Sequence, residues 1–264
     1  MNVEIIVTLT TLPRRLAYIQ PVIDSILKQE YPPTKVQLYI PIKYRREDVG
    51  EVDESHLPHG CEIIRCSEDF GPATKILPAV IKHRGSKVAL VYCDDDRIYD
   101  KNWLKRLVEA SDQYPESVIA EEAMNSKARL NTIYWRQRKI LYKFLRIFTF
   151  GIWKHNRFIK DEKPNIAEGY GGVLVKPHFF NEEVFDIPDI LWTVDDIWLS
   201  GMLAVSNHKI KKTIRQSFEG SKPSDNDVYT QSSSLKILIY KGYDRLASDK
   251  KCIEYMIKNF GVLK

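Results

Sequence analysis

The chain has 264 residues, of which 44% are hydrophobic and 28% charged, enough apolar material for the core of one large globular domain. No stretch reaches the roughly 20 uninterrupted apolar residues that a membrane-spanning helix needs. The N-terminus has neither the basic start nor the long apolar run of a secretory signal. We therefore expect a single domain over residues 1–264, without a membrane span.

The net charge of +5 comes from one segment. Residues 126–163 hold eleven Lys and Arg against two acidic residues, a local charge of +9, so the rest of the chain sums to −4. Aromatic residues such as Trp135, Phe144 and Trp153 are interleaved with these cations. Two interpretations stay open: a basic amphipathic insertion that contacts the inner face of a membrane peripherally, or an inserted helical pair whose cations are simply solvated.

The four cysteines indicate a reducing compartment. They form no zinc-binding spacing, and the nearest pair, Cys61 and Cys66, flanks a predicted strand, so we expect no bridge between them. The expected location is therefore the cytoplasm.

The hydrophobic pattern of the first half predicts alternating strands and helices. Buried strands are predicted at 3–9, 36–40, 62–65 and 88–92, and helices at about 15–28, up to about 82, and from 102 onward. This alternation is typical of an α/β fold with a mostly parallel central sheet, covered by helices on both faces. The first half, residues 1–122, is predicted to be a Rossmann-like nucleotide-binding half.

Polar loops follow three of these strands. They are Thr8–Arg15, Asp69–Lys75 and the triplet Asp94–Asp96, and ligands of parallel sheets collect at this edge. Three adjacent carboxylates repel one another, and a divalent cation with oxygen ligands relieves that repulsion. A solvated acidic turn is the alternative for the triplet taken alone. No Gly-x-Gly-x-x-Gly and no Walker loop is present, so a dinucleotide site is not indicated.

The second half, residues 164–232, resumes the pattern of a compact domain. Glu168–Gly172 carries three glycines before a predicted strand at 173–176, which allows close approach of the backbone to a ligand, or a bulge. A helix is predicted with Thr193 as its N-cap and with Asp195 and Asp196 in its first turn, where carboxylates also suit the helix dipole. A late strand at 210–214, a flexible polar loop at 220–227 and a helical tail at 233–264 follow.

Four motifs along the chain resemble those of glycosyltransferases of the GT-A fold, near the inverting family 2. Asp94–Asp96 resembles the Asp-x-Asp motif, Glu168–Gly172 the glycine-containing loop, Thr193–Asp196 the x-Glu-Asp motif with Asp in place of Glu, and Asp69–Lys75 a donor-binding loop. The resemblance implies transfer of a sugar from a nucleoside-diphosphate donor, expected to be UDP-linked, to a hydroxyl of a glycan or lipid-linked acceptor.

The resemblance also implies roles for individual residues. Asp96 is the expected direct ligand of Mn²⁺ or Mg²⁺, and Asp94 meets the metal through water or meets the ribose. Asp196 is the expected base, with Asp195 as the preceding acid, although the residues alone do not decide which of the two faces the acceptor. The remaining expected donor-binding residues are Thr10, Asp95, Gly171 and Gly172, with Arg14, Arg15 and Lys75 as cationic donors to the diphosphate and Thr8 and Asp69 as hydrogen-bond partners of a pyrimidine base.

One departure from the family pattern concerns the metal site. The late strand is not followed by the histidine that many such enzymes use, so Glu219, Asp225 or water would have to complete the ligand set. A sugar nucleotidyltransferase is the alternative enzyme, but the loop after the first strand lacks its glycines. A nucleic-acid binder would leave the carboxylate triplet unexplained, so no nucleic-acid partner is expected.

Overall fold

The computed structural model of the protein describes residues 3–137, 147–148, 163–215, 220–224 and 242–264. Most of the basic segment 126–163, in which a helical insertion is predicted, and the start of the predicted helical tail lie outside these residues.

A seven-stranded sheet forms the centre of the molecule, in the order β10-β6-β9-β4-β1-β2-β3. Its neighbouring strands are parallel except where β9 runs antiparallel to β4 and to β6. The predicted mostly parallel α/β sheet is thus confirmed. The strands are β1 Glu4–Thr10, β2 Lys35–Pro41, β3 Glu62–Cys66, β4 Val88–Tyr92, β5 Arg97–Tyr99, β6 Val118–Ala120, β7 Ala123–Met124, β8 Ile166–Ala167, β9 Val173–Val175, β10 Ile210–Lys212 and β11 Ser221–Pro223.

Helices cover both faces of this sheet. In chain order they are α1 Gln20–Leu27, α2 Leu77–Lys82, α3 Trp103–Gln113, α4 Ser126–Gln137, α5 Asp195–Val205 and α6 Arg245–Phe260. None of the helices in these described ranges has the length and apolar character that crossing a bilayer requires.

The alternation of side chains along the strands divides the core into two clusters. Ile5, Val7 and Leu9 of β1 pack with α1 and α3, whereas Ile6 faces the cluster that contains α2, α5 and α6. Successive side chains of a strand point to opposite faces of the sheet. Because both faces are buried, β1 and β4 are continuous apolar runs rather than alternating ones.

Several helices and strands begin or end at residues other than the predicted ones. The helix predicted at 15–28 is a 3-10 helix, Pro13–Tyr18, followed by α1, because Pro21 has no backbone N–H and is tolerated only in a first turn. Thr193 does not cap α5, because the helix begins at Asp195 and its N-cap position is Val194, whose side chain cannot accept a hydrogen bond. The loop predicted at 220–227 contains β11, which pairs with β5.

Helix α6 is an integral part of the domain. Its N-cap, Asp244, accepts a hydrogen bond from Ala247, and Gly261 ends it in the left-handed conformation. It packs closely on α5, where a Cβ built on Gly201 would lie 2.4 Å from Met256 Cε. The carbonyl of Leu263 then accepts a hydrogen bond from Ser126 at the start of α4. The C-terminal residues therefore join α4 and α5.

Candidate active site

A cavity of about 460 Å³ opens at the carboxyl ends of β1, β2 and β4. The loops that sequence analysis singled out meet here, as expected for parallel strands. Its walls come from the loops after β1, β3 and β4, from the stretches around Tyr170 and Trp192, and from α4 and α6. The charged residues among them are Arg15, Arg46, Asp69, Lys75, Asp94, Asp95, Asp96, Arg97, Arg129, Glu168, Asp195, Asp196 and Arg245.

The three adjacent aspartates have three different environments. Asp95 is held inside the protein, where it accepts hydrogen bonds from Thr11 Oγ1 at 2.6 Å and Arg15 Nη1 at 2.7 Å. Asp94 accepts a hydrogen bond from Lys75 Nζ at 2.6 Å. The side chain of Asp96 has no hydrogen-bond or ion-pair partner among the described residues, so it is the carboxylate available to a ligand.

Asp96 fits a divalent metal ion. Burial, followed by the charges of Asp95 and Asp94, raises the pKa of Asp96 to about 7, and the charges of Arg15 and Arg97 offset this only in part. No three His, Cys, Asp or Glu side chains in the described part of the chain converge on a common point. Mg²⁺ commonly takes only one or two protein carboxylates and completes its shell with water and substrate phosphates. Glu219 and Asp225 lie outside the described residues.

Lys75 links the carboxylates of the two ends of the cavity. Its ammonium lies 2.6 Å from Asp94, 2.8 Å from Asp195 and 4.0 Å from Asp196. Burial alone would lower the pKa of Lys75, but the charges of Asp195 and Asp94 raise it well above its ordinary value. Sequence analysis assigned Lys75 to the donor diphosphate. The structure places it among carboxylates instead.

Asp195 and Asp196 differ in their access to the cavity. Asp195 is 5% exposed and forms an ion pair with Lys75, although its Oδ2 has no partner with hydrogen-bond geometry among the described residues. The side chain of Asp196 is 21% exposed and accepts a hydrogen bond from the Gly169 amide at 2.9 Å. Burial, followed by the charge of Asp195, raises the pKa of Asp196 to about 8.

The glycine loop is shaped by side chains around it. A Cβ on Gly169 would lie 2.4 Å from Lys75 Nζ, so this glycine makes room for the carboxylate cluster. Gly171 and Gly172 do not line the cavity, contrary to the donor-binding role expected for them. A Cβ on Gly171 would meet Glu122, and one on Gly172 would lie 2.4 Å from the ring of Trp103. Their small size serves the packing beneath the loop.

The structure contradicts two other expected donor contacts, those of Thr8 and Arg14. Thr8 is fully buried, so a nucleobase cannot reach its hydroxyl, and Arg14 is exposed but is not part of the cavity wall. Thr10 and Asp69 do line the cavity. Asp69 shapes its own loop, where it accepts hydrogen bonds from the amides of Arg45 and Gly71.

Several cavity residues were not identified from the sequence. Tyr44 donates a hydrogen bond to the Thr11 carbonyl at 2.8 Å, and Trp192 lies against the guanidinium of Arg45. Arg129 and Arg245 reach the opposite end from α4 and α6. No sequence motif marks these residues, because distant elements bring them to the cavity.

Open α/β sheets bind their ligands in a crevice at the carboxyl ends of the strands, which is where this carboxylate-lined cavity lies. The model of the family "Glycosyl transferase family 2" matches residues 5–163, more than half of the chain. The chain belongs to this family and is a glycosyltransferase. No protein with a curated description matches it.

Solved structures resemble this chain in fold at low sequence identity. Glucosyl-3-phosphoglycerate synthase from Mycobacterium tuberculosis is 11% identical, with a TM-score of 0.51 over 99% of this chain and 80% of the synthase. S. aureus TarS residues 1–349 are 13% identical, with a TM-score of 0.48 over 99% of this chain and 72% of TarS. At 11% identity, the likeness to the synthase is one of fold.

Proposed function

We propose that this glycosyltransferase moves a sugar from a nucleoside-diphosphate donor, expected to be UDP-linked, to a hydroxyl of a glycan or lipid-linked acceptor. The transfer depends on a divalent metal and inverts the anomeric centre. The carrying observation is that one cavity brings together two sets of carboxylates. The triplet Asp94–Asp96 and the pair Asp195–Asp196 both line it, and the ammonium of Lys75 lies between Asp94 and that pair.

The donor end is proposed to hold the diphosphate near Asp96. Asp96 and Asp94 are the proposed ligands of Mn²⁺ or Mg²⁺, and the bound metal would supply Lewis-acid stabilisation of the departing diphosphate. Arg15 keeps Asp95 fixed in the middle of the triplet, so its neighbours keep their orientation. The synthase of similar fold has been solved with Mn²⁺ and UDP, which supports the choice of metal and nucleotide.

The acceptor end is proposed to work by general base catalysis. Asp196 removes the proton of the attacking hydroxyl, which adds to the sugar carbon opposite the departing diphosphate. Its raised pKa and its access to the cavity suit this role, whereas Asp195 is more deeply buried and paired with Lys75. Lys75 is therefore proposed to position both carboxylates rather than to bind phosphate.

Thermal shift with UDP and Mn²⁺ tests the donor site. A ligand that binds only the folded state at about 100 times its Kd adds about 2.7 kcal/mol of stability, so the melting temperature should rise with both present and less with UDP alone. Asp96→Asn should lose the part that depends on Mn²⁺, whereas Asp112→Asn, on the exposed face of α3, should retain it.

Product analysis then separates the enzyme classes. A glycosyltransferase releases a nucleoside diphosphate from the donor, whereas a nucleotidyltransferase releases pyrophosphate. An unchanged Mn²⁺ response in folded Asp96→Asn would remove Asp96 as the metal ligand.

We also propose that the segment 126–163 contacts the inner face of a membrane and so brings the site to its acceptor. The support is its local charge of +9 with interleaved aromatic residues.

A further inference from the structure

Two arginines from different helices meet over one buried carboxylate at the end of the cavity that holds Asp196. Arg129 lies on α4, and Arg245 begins α6. Arg129 donates through Nε, at 2.9 Å, and through Nη2 to Oδ2 of Asp249. Nε of Arg245 lies 3.0 Å from the other oxygen of Asp249. Asp249 is 1% exposed, so this carboxylate is enclosed by the two guanidiniums.

Both guanidiniums of this cluster open to the cavity. Their side chains are 25% and 24% exposed and line it. The acidic groups near them besides Asp249 are Glu168, Asp195 and Asp196, of which Asp195 pairs with Lys75. Burial alone would lower the pKa of Arg245, but the charges of Asp249, Asp195 and Asp196 raise it, so Arg245 stays a cation at the cavity wall.

Each guanidinium also keeps hydrogen-bond donors for a ligand. Nη1 of Arg245 donates to the Thr193 carbonyl at 2.9 Å, but Nη2 has no partner among the described residues. Nη1 of Arg129 likewise contacts no hydrogen-bond acceptor in that part of the chain. Planar guanidinium donors suit the oxygens of phosphate and carboxylate groups.

We propose that Arg129 and Arg245 bind an anionic group of the acceptor, a phosphate or a carboxylate, beside the hydroxyl that receives the sugar. This inference rests on the proposed function for its assignment to the acceptor. The diphosphate of the donor is assigned to the end of the cavity at Asp96. Arg245 is tied to Thr193, two residues before Asp195, so its anion lies on the side of the proposed base.

The test compares three small probes that share a hydroxylated three-carbon chain: glycerol, glycerate and glycerol 3-phosphate. Their binding to the full chain is measured by calorimetry, with and without saturating UDP and Mn²⁺. We expect at least one anion to bind at least about tenfold more tightly than glycerol, because hydrogen bonds to charged groups are the stronger ones. The preferred anion distinguishes a carboxylate from a phosphate site.

Substitutions test whether the two arginines bind the anion. Arg129→Gln and Arg245→Gln should each weaken binding of the preferred anion by about tenfold. Arg129→Lys should retain part of it, because the charge remains. Lys250→Gln removes an exposed cation from the same helix as Arg245 and should leave binding unchanged.

Three outcomes overturn the inference. The anions bind no better than glycerol, the glutamine variants bind the anions as tightly as wild type does, or the glutamine variants lose affinity for UDP as much as for the anion. If Arg245→Gln does not fold, the two Arg129 variants decide. If wild type fails to bind UDP but binds an anion through Arg129, the anion site stands and the proposed donor chemistry fails. If UDP binds and the anions do not, only the inference fails.

Discussion

Asp195 and Asp196 are adjacent in sequence, yet α5 and Lys75 give them different chemistry. Asp195 is an ion-pair partner, whereas Asp196 remains partly open to the cavity with a raised pKa. The triplet is divided in the same way, since Thr11 and Arg15 hold Asp95, whereas no side chain in the described part of the chain pairs with Asp96. At the scale of the residue, neighbours rather than residue type decide which carboxylate is available.

The pH dependence of transfer should report Asp196. A base must be unprotonated, and burial raises the pKa of Asp196 to about 8, so kcat/KM should fall as the pH drops below about 8. Asp196→Asn should bind UDP as wild type does but lose transfer by at least about a hundredfold. Initial rates measured from pH 6 to 9.5 show whether kcat/KM decreases in this way. A folded Asp196→Asn variant with wild-type transfer would contradict the role.

The same substitution should change stability in a direction fixed by the pKa. Because the folded-state pKa of Asp196 lies above its ordinary value of 3.8, its contribution to stability is present below pH 4 and is lost as the pH rises through about 8. Asp196→Asn should therefore melt at a higher temperature than wild type, by a margin that grows over this range. A margin that shrinks with pH would be the opposite result.

At the scale of the element, the loop Glu168–Gly172 combines two separate requirements for glycine. Gly169 makes room for the ammonium of Lys75, whereas Gly172, at φ +90°, makes room for the buried ring of Trp103. The first glycine therefore serves the site and the second the core. The sequence alone predicts donor contacts for Gly171 and Gly172, because spacing does not distinguish neighbours of this kind.

Alanine at the two positions should separate these requirements. Gly172→Ala should lower the free energy of unfolding by roughly 1–3 kcal/mol, since its Cβ overpacks the core at a left-handed φ. Gly169→Ala should displace Lys75, the end of a flexible side chain, and should lower kcat more than stability. Denaturant unfolding and initial rates measure both quantities. Equal losses of stability in the two variants would contradict the distinction.

At the scale of the whole molecule, one sheet joins the two halves of the chain. β9, from the second half, lies between β4 and β6 of the first half, and α6 returns to pack on α5 and α4. The matched family model ends at residue 163, yet Arg245 of α6 reaches the cavity. The cavity is therefore complete only when residues far beyond the family match are in place.

Vesicle binding should depend on the location of charge and not on its total. Wild type should bind vesicles of anionic lipid at low salt and dissociate as salt screens the charges. A variant with glutamine at Arg138, Lys139, Lys143 and Arg146 should lose this binding, at about 1 kcal/mol for each cation near the surface. A control with glutamine at Lys28, Lys43, Lys87 and Lys250 has the same net charge and should retain it. Sedimentation measures both, and equal loss in both variants would contradict a local contact.

The sequence by itself determined the strands, the sheet class and the loops that meet at its edge. Apolar runs such as 88–92 can only be buried, and parallel strands bring their carboxyl ends to one side. Because the carboxylates of the triplet directly follow a strand, their place in the sequence was enough to predict that they line the cavity.

Only the tertiary structure decided the partner of each charged side chain. Lys75, read as a phosphate ligand, lies among aspartates, and Thr8 is buried beneath the site it was expected to line. Arg129 and Arg245 meet over Asp249 from elements more than a hundred residues apart. The electrostatic environment of a group depends on distances and burial within a few ångströms, and these are set by packing between elements that the local sequence does not encode.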